Sequence, residues 1–406
     1  VTGAYVEEQG TGTILEYART QTRDFTEYPF QTADALVFAL LSYDRIPQSV
    51  PRLKSLVARY GSLSRRVRSF DWRHPVASAQ AIVRVPFDGP TMRQVEQELT
   101  LYEEHHPYLE EHAGFIPAGT PRQFYRSIAH NPRFAVTRIN AADERFDLDQ
   151  QTQFAAMTFL LPTGTLVVAF RGTDDSLIGW KEDFNMAFTY PVPAQKQAAD
   201  YLERVGALWN GEIVLTGHSK GGNLAIYAAM NAPDAIKDRI TRIYTLDGPG
   251  FSPEVIHSYE YSTVVHRITR VIPDGSIIGM LLAHSPHAHR IVVKSSADGL
   301  MQHSCYTWLM HGDHFVQVPD VTPTSQTFAE AMNSWLGGMT QRQREHGVEA
   351  LFRVLTSSGH GTITELMTAG PRIIPDMLGS YVGLSGEERK YINQALWMFA
   401  GATFHH

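Results

Sequence analysis

The stretch Glu212-Ile-Val-Leu-Thr-Gly-His-Ser-Lys-Gly-Gly-Asn-Leu-Ala-Ile-Tyr-Ala-Ala-Met230 constrains this chain more than any other. A β-branched apolar run leads into Gly217-His218-Ser219-Lys220-Gly221, and a small-residue helical segment follows until Asn231-Ala232-Pro233 ends it. A strand that turns this sharply into a helix must hold its central residue in strained backbone, so the flanks cannot carry bulky Cβ groups. Gly217 and Gly221 meet that need, and Gly222 and Ala225 let the helix lie close on a sheet. Such a turn lifts the Ser219 hydroxyl above the sheet edge. It also aims the Lys220 amide and the helix N-terminus at a developing negative charge. The plainer readings are an anion-binding turn or a purely structural one.

The surroundings fit a sheet protein with alternating helices. Short β-rich runs at Phe154–Leu161, Thr165–Phe170, Ile213–Thr216, Ile240–Leu246, Thr263–Ile272 and Arg290–Lys294 are separated by helical stretches. This alternation predicts an α/β fold, with a mostly parallel central sheet and helices on both faces. Three regions follow: an N-terminal arm and mainly helical region, 1–133, that could serve as a cap; a catalytic core, 134–320; and a helical C-terminal region, 321–406, packing on the core or forming a cap. In such sheets the chemistry sits at the carboxyl ends of the strands.

Composition removes several function classes. A formal net charge of −7 argues against nucleic acid as the main partner. The five arginines between Gly61 and Arg84 read as a solvated face rather than a nucleic-acid patch. Cys305 is the single cysteine, which excludes an internal disulfide and a thiolate cluster; it reads as a small buried or pocket-wall residue. The polar Glu103-Glu104-His105-His106 surface and the His284-Ser-Pro-His287-Ala-His289 run read as exposed or mobile polar segments rather than metal sites. The apolar runs at 35–41 and 277–283 are far short of a membrane span. The first 30 residues carry no apolar core of signal-peptide length. The expectation is a cytoplasmic protein with no transmembrane segment, cofactor or metal; oligomeric state carries no signal.

A serine at this turn needs an oxyanion site, a base and an acid. The strand Thr165–Phe170 runs into Arg171-Gly172-Thr173-Asp174, so the Thr173 amide is the expected second oxyanion donor beside Lys220. Here the sequence resembles a known family. Val-Val-Ala-Phe-Arg-Gly-Thr (167–173), Gly179-Trp180 with Glu182-Asp183, and Gly-His-Ser-Lys-Gly-Gly-Asn (217–223) resemble the class 3 lipases. The likeness is closest to an uncharacterised bacterial branch of that α/β-hydrolase group. There it extends to Asp34-Ala-Leu-Val-Phe-Ala-Leu-Leu-Ser-Tyr43, Asp247-Gly-Pro-Gly-Phe251 and the segment from Val293 through Gln302-His303. The resemblance implies an α/β-hydrolase fold and a serine hydrolase mechanism.

The chain order Ser, acid, His places the other two groups downstream. Asp274, in the loop after the strand ending at Ile272, is the expected acid. Asp247, at the end of the preceding strand, is the rival, and an offset against the lipase pattern leaves Ser276 as an occupant of the acid's position. His303 is the expected base, with His314 as rival. His218, adjacent to the nucleophile, cannot reach it from the required side and is expected to border the substrate with Trp180 and Phe184. The aromatic segment 177–193 reads as an acyl pocket, part of a lid, or a core helix. The expected activity is hydrolysis of a small-molecule or lipid carboxylic ester. Thioester, amide or acyl-transfer chemistry on the same groups, and a binding module without turnover, are the alternatives.

Overall fold

The computed structural model describes residues 12–106, 119–147, 152–172, 189–362 and 369–393, together with Leu177, Lys181, Asn185, Met186 and Glu365. Its centre is an eight-stranded sheet in the order β1-β2-β3-β4-β5-β6-β7-β10. The strands are β1 (Arg138–Asp147), β2 (Thr152–Leu160), β3 (Leu166–Phe170), β4 (Ile213–His218), β5 (Ile240–Leu246), β6 (Ile268–Pro273), β7 (His289–Val293) and β10 (Gln317–Val318). A two-stranded ribbon, β8 (Met310–His311) with β9 (His314–Phe315), precedes β10. From β3 to β7 every pairing is parallel, while β1, β2 and β10 pair antiparallel at the two edges.

The five parallel strands and the antiparallel β2 are the runs the sequence announces, and the apolar character is strongest in the central β3 and β4, where both faces are covered. β3 and β4 are buried along their whole length. The edges differ from expectation. β1 reads Arg-Ile-Asn-Ala-Ala-Asp-Glu-Arg-Phe-Asp, too charged to look like a strand, and is kinked by an irregularity between Asn140 and Asp143. Charge and irregularity are what an edge strand tolerates. Residues 263–267 form a turn and a short helix, so β6 begins only at Ile268.

Register aligns the carboxyl ends of the parallel strands. Phe170 lies beside Gly217, His218 beside Leu246, and Leu246 beside Val271. The residues that follow β3, β4, β5 and β6 therefore emerge together along one rim.

Helices cover both faces. On one lie α1 (Ile14–Thr20), α2 (Thr32–Leu41), α6 (Met92–His105) and α7 (Thr120–His130), whose apolar residues share a core with Val167, Ala169, Val214, Leu246 and Val271. α2 is buried from Ala33 to Leu41 because the sheet and the outer helices enclose it. These N-terminal helices form a layer of the core. On the other face α3 (Leu53–Tyr60), α8 (Pro193–Leu208) and α9 (Lys220–Asn231) pack on Val168, Phe170, Leu215 and Ile243. Between α3 and α6 run α4 (Leu63–Arg68) and α5 (Pro75–Val83). After the sheet come α10 (Pro323–Gly337), α11 (Gln341–Thr356) and α12 (Ile374–Val382).

One buried ion pair fastens the N-terminal layer. Arg133 and Asp34 are both fully buried, joined by Nη2–Oδ2 at 2.6 Å and Nε–Oδ1 at 2.8 Å. The Tyr17 hydroxyl donates to Asp34 Oδ1 at 2.7 Å and the Gln31 amide to Oδ2 at 2.7 Å. The remaining Arg133 nitrogen donates to the carbonyls of Arg23 and Tyr28. The pair thus fixes the chain from α1 to α2 against the segment after α7. Removing one partner strands a buried charge, at a cost of about 3–5 kcal/mol. Asp34→Ala is expected to lose that much in urea unfolding, whereas the double variant Asp34→Leu with Arg133→Met is expected to lose markedly less than the sum of the singles.

Candidate functional site

The rim of the sheet is organised around Ser219. β4 ends at His218, α9 begins at Lys220, and Ser219 alone makes the turn with φ 57° and ψ −134°. A side-chain-bearing residue at positive φ is strained, and the strain persists only where the surroundings fix it. They do so through close backbone approaches. A Cβ on Gly217 would strike the backbone of Gly221, and one on Gly221 would strike the Phe170 carbonyl at the end of β3. The Ser219 amide donates to the Leu246 carbonyl at 2.9 Å, tying the turn to β5. Ser219 is left 6% exposed.

Immediately after Leu246 comes Asp247, also at positive φ (49°) and fully buried. Its Oδ2 faces His303 Nδ1 at 2.6 Å. Its Oδ1 accepts from the Ser276 hydroxyl and from the Gly279 amide at 3.1 Å. Both carboxylate oxygens are thus engaged, which fixes its direction and that of the imidazole. His303 ends a short 3-10 helix, Gly299–His303, after β7. Next to it, Gln302 accepts from the Gly275 amide at 2.8 Å and its carbonyl takes the indole N–H of the fully buried Trp308.

His218 links the serine turn to the base. Its Nε2 lies 2.9 Å from the His303 carbonyl, which can only accept, so Nε2 carries the proton. Its Nδ1 then accepts from the Tyr43 hydroxyl at 3.1 Å. Burial, helped by the neighbouring His303, pushes the His218 pKa down to about 3. His218 is a neutral strut between Tyr43 and His303.

The acid expected at Asp274 is not at the imidazole. Asp274 is buried just past the end of β6, where its Oδ2 meets Lys294 Nζ at 2.7 Å. Its backbone pairs with Val293 and Thr322, so it locks β6 to β7 and to the start of α10. Asp247 takes its place because β5 is the strand next to β4, and its end lies beside the turn. Ser276, which the offset pattern pointed to, reaches across to Asp247 as a donor. The Ser325 hydroxyl of α10 in turn holds the Ser276 carbonyl. The rival base His314 is exposed on the ribbon, 3.1 Å from Asp313. Tyr43, two residues past α2 and within the 34–43 stretch of the resemblance, carries no local signal of its contact with His218.

Lys220 opens α9, so its amide points out of the helix N-terminus, while its buried side chain donates to the Gln153 carbonyl. Thr173, Trp180 and Phe184 lie outside the described residues. Leu177 packs on Val348 and Phe352 of α11. Beside the first turns of α9 and α8 lies a pocket of about 140 Å³, lined by Met186, Tyr190, Gln195, Asn223, Phe251 and Arg344. A larger cleft, about 700 Å³, opens at the amino ends of β4–β6 around Glu212, Thr241 and Arg267, the far end of the strands from Ser219.

Cys305 is buried, and burial pushes its thiol pKa up. The ring of His284 packs beside Gly250, while His287 faces His266. Among the described residues no three His, Cys, Asp or Glu side chains converge as a metal site, and no helix is long and apolar enough to cross a membrane. The Mbeg1-like family model matches residues 128–353, more than half of the chain and the whole of the sheet and rim. No curated protein matches the chain.

The buried neutral His218 makes stability depend on pH. The unfolded chain takes up a proton here below about pH 6.5, while the folded chain resists until about pH 3. Stability is therefore full above pH 6.5 and is lost as pH falls toward 3. Urea unfolding at pH 7.5 and 4.5 is expected to show a larger loss for the wild type than for His218→Gln.

Proposed function

The chain belongs to the Mbeg1-like family, and we propose that the Ser219 centre is that of a serine hydrolase on an α/β-hydrolase fold. The observation that carries this reading is the buried carboxylate–imidazole pair Asp247–His303 at 2.6 Å, set beside a serine on a strained strand-to-helix turn. Support also comes from the resemblance of the 167–173 and 217–223 segments to the class 3 lipases.

In this mechanism His303 Nε2 takes the proton of Ser219 as Oγ attacks the carbonyl carbon of an ester. Asp247 keeps the Nδ1 proton in place and stabilises the imidazolium that forms. The oxyanion is met by the Lys220 amide and the positive end of α9, where partial charges of fixed direction cost no reorganisation. Thr173, next to Gly172, is the proposed second donor. His303 then protonates the departing alcohol, leaving an acyl-Ser219 ester. A water, deprotonated by His303, attacks that ester, and His303 returns the proton to Ser219 Oγ as the acid is released.

The substrate class is a carboxylic ester, with the acyl chain directed to the pocket by Met186, Tyr190 and Phe251. The complete Ser–His–Asp set favours turnover over a binding module. Its lone cysteine supports a cytoplasmic setting.

Labelling with a fluorophosphonate, followed by intact mass, tests the assignment. Ser219→Ala is expected to abolish labelling and His303→Ala to slow it strongly. Asp247→Asn should slow it on the order of 10⁴-fold, as loss of the triad acid does, while Asp274→Asn stays within about tenfold of wild type. Equal effects of the two aspartate variants, or labelling that survives Ser219→Ala, would overturn the reading.

A further inference from the structure

Residues 52–84 carry seven arginines and one lysine against a single acid, Asp71, in a chain whose net charge is −7. α3 roots this segment in the core through Leu53, Leu56 and Tyr60. Beyond it, neither α4 nor α5 buries a residue. They nonetheless carry large apolar side chains. Trp72 is 84% exposed, Val83 78%, Val76 71% and Leu63 66%, with Val67 also exposed. Leu63 and Val67 stand one turn apart on α4, and Val76 and Val83 two turns apart on α5, so each pair shares a helix face. α5, Pro-Val-Ala-Ser-Ala-Gln-Ala-Ile-Val, has no charge at all.

The segment is held rigidly enough to present these groups. Arg66 donates to the carbonyls of Tyr60 and Ile82, bracing α3, α4 and α5 together. Trp72 stacks edge-on against Phe70, with ring centres 4.8 Å apart. Arg84 lies 5.0 Å over the Trp209 ring. Arg59, Arg65, Arg68 and Arg73 are exposed, and no described carboxylate pairs with them. A plain solvated face does not account for the apolar side chains among these arginines.

We propose that α4, α5 and the Phe70–Arg73 turn between them dock on an anionic lipid bilayer. Apolar side chains among cationic ones suit a bilayer interface. There Trp and aliphatic groups enter the headgroup region while arginines meet acidic lipids. Nucleic acid would use the arginines but has no place for Leu63, Val67, Val76 and Val83. The proposal is independent of the chemistry at Ser219.

The full chain is tested by flotation with vesicles of phosphatidylcholine alone and of phosphatidylcholine with phosphatidylglycerol. It is expected to float with the anionic vesicles at low salt, weakly with neutral ones, and to be released progressively by salt. Arg68→Gln with Arg73→Gln touches no contact outside the segment, and at about fivefold per charge is expected to weaken binding roughly 25-fold. Arg68→Lys with Arg73→Lys should restore it, because the surface reads charge rather than guanidinium shape. Trp72→Ala should weaken binding at low and at high salt alike. No binding to anionic vesicles at low salt would overturn the proposal. So would binding indifferent to both the arginine and the tryptophan variants. Duplex DNA binding in place of vesicle binding, or a solution dimer that buries Trp72, would overturn it too.

Discussion

The contact between His303 Nδ1 and Asp247 Oδ2, 2.6 Å and shut away from water, is the interaction around which this rim is built. A buried carboxylate is costly unless its lone pairs are filled, so three segments of the chain meet here. His303 arrives from the segment after β7, Ser276 and Gly279 from the loop after β6, and the acid itself from the end of β5. The strained Ser219 turn is held to the same place by its amide bond to Leu246 and by the His218 bridge to His303. Packing, polar satisfaction and the proposed catalytic geometry are one arrangement rather than three.

The layers behind the rim serve it at a distance. Tyr43, two residues past the end of α2, donates its hydroxyl to His218 Nδ1, and the start of α2 is fixed by the Asp34–Arg133 pair. The two ends of the stretch Asp34–Tyr43 thus have separate tasks, one in anchoring and one at the site. On the other side, α10 packs Phe328 and Met332 on Ile277 and Ile278 and fastens Ser276 through Ser325. A C-terminal helix therefore sits one hydrogen bond behind the residue that holds the acid.

How much of this is legible in the sequence follows from where each signal is local. The turn at Ser219 is legible because the strand, the glycines and the small-residue helix all lie within nineteen consecutive residues. His303 is legible through the residues around it. The choice between Asp247 and Asp274 is not, because both end a parallel strand and both precede a glycine. Register decides it: Leu246 lies beside His218, so Asp247 emerges next to the turn, while Asp274 is one strand further away and finds Lys294. β1 is hidden for the opposite reason, since an edge strand half open to water reads as a polar loop. The resemblance brings Tyr43 and Ser276 into view, but not their contacts, whose partners are far away in sequence.

The central claim is that Ser219 is an activated nucleophile served by this buried pair. A crystal structure of the protein after reaction with a fluorophosphonate tests it most directly. The account predicts a phosphonyl group bonded to Ser219 Oγ, with one oxygen about 3 Å from the Lys220 amide. His303 should remain on Asp247, its Nε2 turned to the adduct. An unmodified Ser219 in an intact fold, an adduct on another residue, or His303 turned away from Asp247 would contradict it.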